Sequence, residues 1–272
     1  MLKWIAIITM LIDHVGFFFY DQIPSTLYEF LRGIGRIAMP LFAFSIAFGF
    51  LHSKNWLKYF IRLFSFAIIS EFAFRKIYAL NGFYYSGTNI LFTFSFSLVF
   101  LIALRMLIHS SHDLLVRMQP IQSGGMSENN LPYQFRINFG FQISPIIGLL
   151  LGLIFMILPV VCIVYYDTEY GLYGLSMVVA FYILQAVDFK KPRLMAYLLI
   201  IFVNLLFQIL SLFGQNPIFK YNSLQWITVL AVPLCLNCEN EKKPRKWEKY
   251  FFYIFYPAHF VLLGLIRYFC LK

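Results

Sequence analysis

Apolar stretches of bilayer length recur from one end of this chain to the other. A helix that crosses the hydrocarbon core needs ~20 mostly apolar residues, with a range of ~17–25. Windows of that kind lie at about 2–20, 34–52, 57–74, 89–109, 143–166, 169–187, 194–213, 222–238 and 250–271. The eighth is the weakest, because Pro233 interrupts it. Strand-like alternation is absent, and in lipid every backbone polar group must be satisfied within a helix or a closed barrel. The expected fold is therefore all-α, a polytopic integral membrane helical bundle with about nine transmembrane helices. Composition agrees. Hydrophobic residues fill 61% of the 272 positions and charged residues only 12%, against roughly 45–50% and 25% in a soluble domain. So few charges cannot cover a soluble surface. Many long runs, rather than one short one, exclude a secreted protein with a signal peptide. Disordered, coiled-coil and collagen-like classes fail on the same composition.

Lys and Arg set the expected orientation. With the N-terminus placed in the cytoplasm, the inside set is Lys3, Lys54, Lys58, Arg62, Arg105, Arg117, Arg136, Lys190, Lys191, Arg193, Lys242, Lys243, Arg245, Lys246 and Lys249, or 15 of 22. Arg32, Arg36, Arg75, Lys76, Lys220, Arg267 and Lys272 fall outside. That bias favours a multi-pass protein of the cell membrane with its N-terminus inside and its C-terminus outside. Arg75 and Lys76 are the main exception. The net charge of +10 then reflects basic inner loops, and no nucleic-acid partner is expected. The polar stretch at 110–138 carries SSHD, SGGMSENN and two prolines, and it reads as a cytoplasmic loop. No second soluble domain and no internal repeat is evident, so residues 1–272 are expected to form one transmembrane domain. Cys235 and Cys238 make a CxxC with no second pair and no nearby histidine, and no His/Asp/Glu cluster has ligand spacing within one segment. No metal site is expected.

Ionisable groups at membrane depth cost several kcal/mol each and are functional candidates by default. Span order places Asp13 and His14 in the outer half of the first span. Arg32 and Arg36 sit at the outer end of the second, Glu71 near that of the third, and Asn89 and Thr93 at the opening of the fourth. Asp167, Glu169 and Tyr170 border the turn between the fifth and sixth spans, with Tyr173 just beyond. These residues fall in one layer, which suggests a polar cavity open to the extracytoplasmic side. His259 lies mid-span beside Pro257, whose missing N–H disturbs the helical ladder. Each has a structural alternative. Arg32 and Arg36 snorkel to headgroups; Asp13 neutralises a buried arginine; Glu71 is an interface residue; Asn89 caps a helix; Thr93 back-bonds within its helix; His259 bonds a neighbouring helix. His14, an imidazole next to a carboxylate at membrane depth, is the strongest catalytic candidate.

Five segments carry a family resemblance over nearly the whole chain. They are Leu2–His14 (LKWIAIITMLIDH), Leu31–Phe44 (LRGIGRIAMPLFAF) with Gly49 and Phe50, Asn89–Thr93 (NILFT), Glu169–Gly174 (EYGLYG) and Lys249–His259 (KYFFYIFYPAH). They resemble the TraX family of integral membrane proteins, which includes the conjugative-pilin N-acetylase. The RxxGRxxxPxF stretch is also similar, more loosely, to membrane acyltransferases acting on sugars. The chain departs from the family pattern at Phe48, at Ser70-Glu71-Phe72 and at Glu169, where family members commonly carry Asp.

The resemblance implies acetyl transfer from acetyl-CoA as the acyl donor. The donor's phosphates suit the basic inner loops, and a peptide or glycan acceptor would enter from the extracytoplasmic face. His14 is the expected general base, oriented by Asp13 or Glu71. Arg36, with Arg32 nearby and Asn89 or Thr93 donating, would stabilise the oxyanion. His259 is the alternative base or carrier of a transient acetyl group. Asp167, Glu169, Tyr170 and Tyr173 would meet the acceptor. The acidic mouth leans toward the N-terminal amine of a peptide or pilin-like protein. O-acetylation of a cell-envelope glycan or lipid-linked sugar is the second reading. A small-solute transporter without chemistry is the third, although the internal repeats typical of transporters are missing.

Overall fold

A computed structural model describes residues 2–118, 144–213, 221–237 and 246–271, and among these the regular elements are helices. They are α1 (Leu2–Phe18), α2 (Ser25–Gly35), α3 (Ala38–His52), α4 (Trp56–Leu80), α5 (Ile90–Met118), α6 (Pro145–Tyr165), α7 (Gly171–Ala186), α8 (Pro192–Leu212), a 3-10 helix (Ser223–Ala231), α9 (Val232–Leu236) and α10 (Lys246–Leu271). Five described segments are long and apolar enough to cross a bilayer: Ser25–His52, Ile90–Leu115, Pro145–Tyr165, Pro192–Leu212 and Tyr250–Leu271. The fold is a helical membrane bundle, as its apolar periodicity requires. Large apolar side chains on α8 and α10, among them Phe202, Leu205, Leu262 and Phe269, stay exposed. Such a face is stable against lipid tails and costly in water.

Several boundaries differ from those read off the apolar windows. The second window, 34–52, straddles a break at Arg36–Ile37, where α2 ends and α3 begins. Most of α2 falls outside the apolar windows, because Glu29 and Arg32 lower its hydropathy. It is a short helix that lies along α1. α4 runs from Trp56 to Leu80, past the expected end at 74. Its extra turns carry Arg75 and Lys76, which an apolar window rejects. The eighth window holds a 3-10 helix followed by the five-residue α9. Pro233 falls in the first turn of α9, where a missing N–H costs nothing. α5 continues to Met118, so the start of the polar 110–138 stretch, SSHD included, is helical. The rest of that stretch, and Cys238 of the CxxC, lie outside the described residues.

By their contacts the residues group into two compact units, Met1–Ser95 with Ile163–Lys272, and Phe96–Cys162. The smaller unit pairs α5 with α6. A Cβ on Gly152 would lie 2.7 Å from the Leu107 side chain, and one on Gly148 would overlap Ser110. Small residues at these positions let two membrane helices approach closely. In the larger unit α1 packs on α2, α3 and α10, while α3 packs on α7 and α10 on α4. α1 is therefore surrounded by three other helices, and its polar residues must find partners there. The 3-10 helix packs on α8 through a buried network: Asn204 Nδ2 donates to Thr228 Oγ1 at 3.1 Å, and the Tyr173 hydroxyl donates to Asn204 Oδ1 at 3.1 Å.

Candidate active site

α1 presents Lys3, Met10 and His14 at spacings of seven and four residues, which puts them on one helical face. That face lines a cavity of about 580 Å³ in the larger unit, within the ~300–1,000 Å³ range of small-molecule sites. Asp13, His14, Glu169 and Tyr170 line one part of it. Met39, Phe42, Phe44 and Tyr256 supply much of the apolar and aromatic wall, and Lys3, His52, Ser53 and Arg62 are also on the lining.

The His14 ring meets His259 of α10. Their rings are nearly parallel, 10° apart with centroids at 4.9 Å, and His14 Nδ1 lies 2.6 Å from His259 Nε2. The proton order follows from the other partners. His259 Nδ1 is 2.7 Å from the Phe255 carbonyl oxygen; a carbonyl only accepts, so this nitrogen carries the proton and donates. In a neutral His259 ring Nε2 is then an acceptor, and His14 Nδ1 must donate to it. That leaves the lone pair of His14 on Nε2, which takes no hydrogen bond among the described residues. The pair fixes the tautomer that a general base on the cavity wall requires. Phe260 closes the other side of His14 at a ring-centroid distance of 5.3 Å.

Asp13, the neighbour of His14, is bound by α2. Arg32 Nη1 donates to Asp13 Oδ2 at 2.5 Å, so Arg32 is turned inward rather than toward headgroups. Asp13 Oδ1 is buried and accepts no hydrogen bond among the described residues. Gly35 makes this approach possible, since a Cβ there would overlap the Asp13 side chain. Arg36, just past the end of α2, donates to the Tyr170 hydroxyl at 2.8 Å. Tyr170 sits in the left-handed region at φ 60°, immediately before α7. A non-glycine residue there is uncommon and costs ~1–3 kcal/mol. The conformation aims its ring at Arg36 and the cavity. Its hydroxyl accepts from Arg36 and keeps its own proton to donate.

The remaining candidates form the frame around this site. Glu71 Oε2 accepts from the Asn89 backbone N–H at 3.0 Å, from Asn89 Nδ2 at 2.9 Å and from the Tyr85 hydroxyl at 3.2 Å. Its other oxygen pairs with Arg75 Nε at 2.8 Å. Asn89 Oδ1 accepts from the Leu91 N–H at 3.0 Å and caps α5. Thr93 Oγ1 lies 2.5 Å from the Glu169 carbonyl oxygen and 2.9 Å from Thr168 Oγ1. Asp167, at φ 48°, shapes the α6–α7 turn, which pairs with the chain at Thr88. Thr93 and Asp167 thus fix the turn that carries Glu169 and Tyr170, Glu71 and Asn89 secure the start of α5, and none of the four lines the cavity. Tyr173 is buried with its hydroxyl at Asn204 and Thr228, and it too is off the lining.

A model of the TraX protein family matches residues 1–267. The chain belongs to the TraX family. A relative described as probable fimbrial assembly protein FimC, serogroup H1, from Dichelobacter nodosus is 27% identical over 272 residues, covering 96% of this chain and 92% of its own length. An uncharacterized protein, RP591, of Rickettsia prowazekii (strain Madrid E) is 42% identical over 50 residues, 18% of each chain. No solved structure matches the chain.

Two of the segments that carry the TraX resemblance, Leu2–His14 and Lys249–His259, end at the two rings that meet. Sequence reasoning singled out both histidines but not their contact, which joins residues 245 positions apart. It missed Lys3, His52, Arg62 and Tyr256 as lining groups of this TraX-family cavity. In the sequence Lys3 and Arg62 stand out only as cytoplasmic charges. The signal that would have found them is positional: Lys3 and His14 are 11 residues apart, three helical turns on one face.

Proposed function

We propose that this protein is a membrane-embedded acetyltransferase that moves an acetyl group from acetyl-CoA to the N-terminal amine of a pilin-like peptide. Membership of the TraX family and a relative named as a fimbrial assembly protein support a pilin-processing role. The observation that carries the chemistry is the His14–His259 pair, which leaves a lone pair on His14 Nε2 at the wall of a cavity. The carboxylates of Asp13 and Glu169 on that wall suit an ammonium acceptor better than a sugar hydroxyl.

The acceptor enters as its ammonium, held by the carboxylates, and loses one proton to solvent on becoming a nucleophile. The amine nitrogen then attacks the thioester carbonyl carbon. Tyr170, polarised by the Arg36 guanidinium, donates its hydroxyl proton in a hydrogen bond to the developing oxyanion. His14 Nε2 takes the second proton from nitrogen as the C–N bond forms, and returns it to the departing thiolate as the C–S bond breaks. His259 accepts from His14 Nδ1 throughout and steadies the imidazolium. It acts through His14 and is a positioning residue.

The test uses the purified protein in lipid vesicles with labelled acetyl-CoA and a synthetic pilin-like N-terminal peptide, read by intact mass. His14→Gln is expected to lower turnover by ~10²–10⁴-fold, and His259→Gln to lower it less while shifting the pH profile. If both variants fold and keep full transfer, the mechanism is wrong. A peptide with a blocked N-terminus should not react. If it does, while a glycan hydroxyl is acetylated as fast as a free amine, the acceptor is a hydroxyl.

A further inference from the structure

One group of cavity residues takes no part in the chemistry above. Arg62 of α4 lies between two tyrosine rings, its guanidinium carbon 5.5 Å from the ring centre of Tyr59 and 5.4 Å from that of Tyr253. All three line the cavity, and Arg62 Nε is buried with no hydrogen-bond partner among the described residues. Lys3 Nζ stands 5.6 Å from the Phe252 ring centre, and both of these residues line the same cavity. His52, at the end of α3, stacks on Phe48 with centroids 4.0 Å apart, and its Nδ1 is committed to the Phe48 carbonyl at 2.9 Å. Four helices therefore bring an arginine, a lysine, an imidazole and several aromatic faces to the lining of this cavity. The acidic residues that line the cavity, Asp13 and Glu169, sit with His14 instead. Along α1 the Lys3 position is ~16 Å from that of His14 at 1.5 Å per residue.

A cation clamped between aromatic rings has lost most of its side-chain freedom before any ligand arrives. Its planar fork suits phosphate oxygens, while the rings offer faces to a base. We infer that Arg62, with Lys3, forms the subsite for the phosphorylated nucleotide end of the acyl donor, holding it about three helical turns from the histidine pair. This inference rests on the acetyl-CoA reading above. The shared chemistry is a phosphate group, which an anionic lipid headgroup also carries. The position of Arg62 and Lys3 on the lining of the cavity that contains His14 favours the nucleotide.

The experiment measures binding to the full chain in nanodiscs of zwitterionic lipid, using CoA, dephospho-CoA and pantetheine as probes, by calorimetry. The wild-type protein should bind CoA at least ~10-fold more tightly than pantetheine, the equivalent of ~1.4 kcal/mol. Arg62→Gln should bring the two to parity, and Arg62→Lys should restore part of the preference. His14→Gln should leave it intact. Lys3→Gln gives a second reading if Arg62→Gln does not fold, with a smaller loss of preference expected. Retention of the CoA preference in folded Arg62→Gln, or in folded Lys3→Gln when Arg62→Gln does not fold, overturns the assignment. Loss of the wild-type preference when phosphatidylglycerol is added to the nanodisc also overturns it, because the site then belongs to lipid. The two readings fail separately. A protein that binds CoA through Arg62 but transfers no acetyl group keeps the subsite and loses the reaction. One that transfers acetyl from acetyl-CoA and S-acetylpantetheine alike, with equal KM, keeps the reaction and loses the subsite.

Discussion

Tyr170 combines a left-handed backbone, a half-buried ring and a hydroxyl on Arg36. Its strain persists because the turn around it is over-determined: Thr93 holds the neighbouring carbonyl, and the Gly171 N–H donates to the Thr168 carbonyl at 2.9 Å. Tyr170→Phe keeps the backbone and the ring and removes only the donor. Turnover should fall by ~10²–10³-fold, the cost of removing one oxyanion donor, with the melting temperature nearly unchanged. Acetyl-transfer kinetics beside a thermal melt separate the two effects. If kcat holds and only stability drops, Tyr170 is structural. The sequence made this residue a candidate but hid its partner, because Arg36 is 134 positions away. Glu71 and Asn89 show the converse. Both look like catalytic polar groups at membrane depth, yet they satisfy each other and the N-terminus of α5. Residue type cannot distinguish those uses; only the identity of the partner does.

At the scale of elements, the α1–α2 hairpin decides whether Asp13 stands beside His14 in usable form. Gly35→Ala places a methyl group where the Asp13 side chain now lies. Overpacking of that kind costs ~1–3 kcal/mol, so the variant should melt several degrees lower and lose transfer activity with it. A fully active, equally stable Gly35→Ala would mean that α1 and α2 part easily. The turn after α1 is tied to α10 as well. Arg267 donates to the Phe18 carbonyl and, through Nη1 and Nη2, to Asp21 at 2.7 and 2.6 Å. Those hydrogen bonds hold the Asp21 carboxyl below its ordinary value of 3.8. A carboxyl depressed in the folded state stabilises above its unfolded pKa, and that contribution is lost as pH falls through the folded value. The melting difference between wild type and Asp21→Asn should be present near neutrality and vanish once the pH drops well below 3.8. α2 was the element least legible beforehand. Its Arg32 is turned onto α1 while its Glu29 is exposed, and hydropathy counts both as loop. The long spans were legible because lipid imposes the apolar run directly.

The whole molecule is asymmetric in charge across its expected orientation, and that orientation can be checked. A reporter enzyme that matures only outside the cytoplasm, fused after Lys272, should be active, and the same reporter inserted after Ser53 should be silent. The reverse pattern would put Arg62 and Lys3 on the side opposite the cell's nucleotide pool and remove the rationale for the donor subsite. A final consequence concerns timing. The first helix is fastened to α10 at two levels, His14 to His259 and the turn at Asp21 to Arg267. While the chain is still being synthesised, α1 has its histidine but not the ring that assigns its proton. A nascent chain therefore presents His14 with its tautomer unassigned. The pair of rings is completed only when α10 has been made and threaded into place.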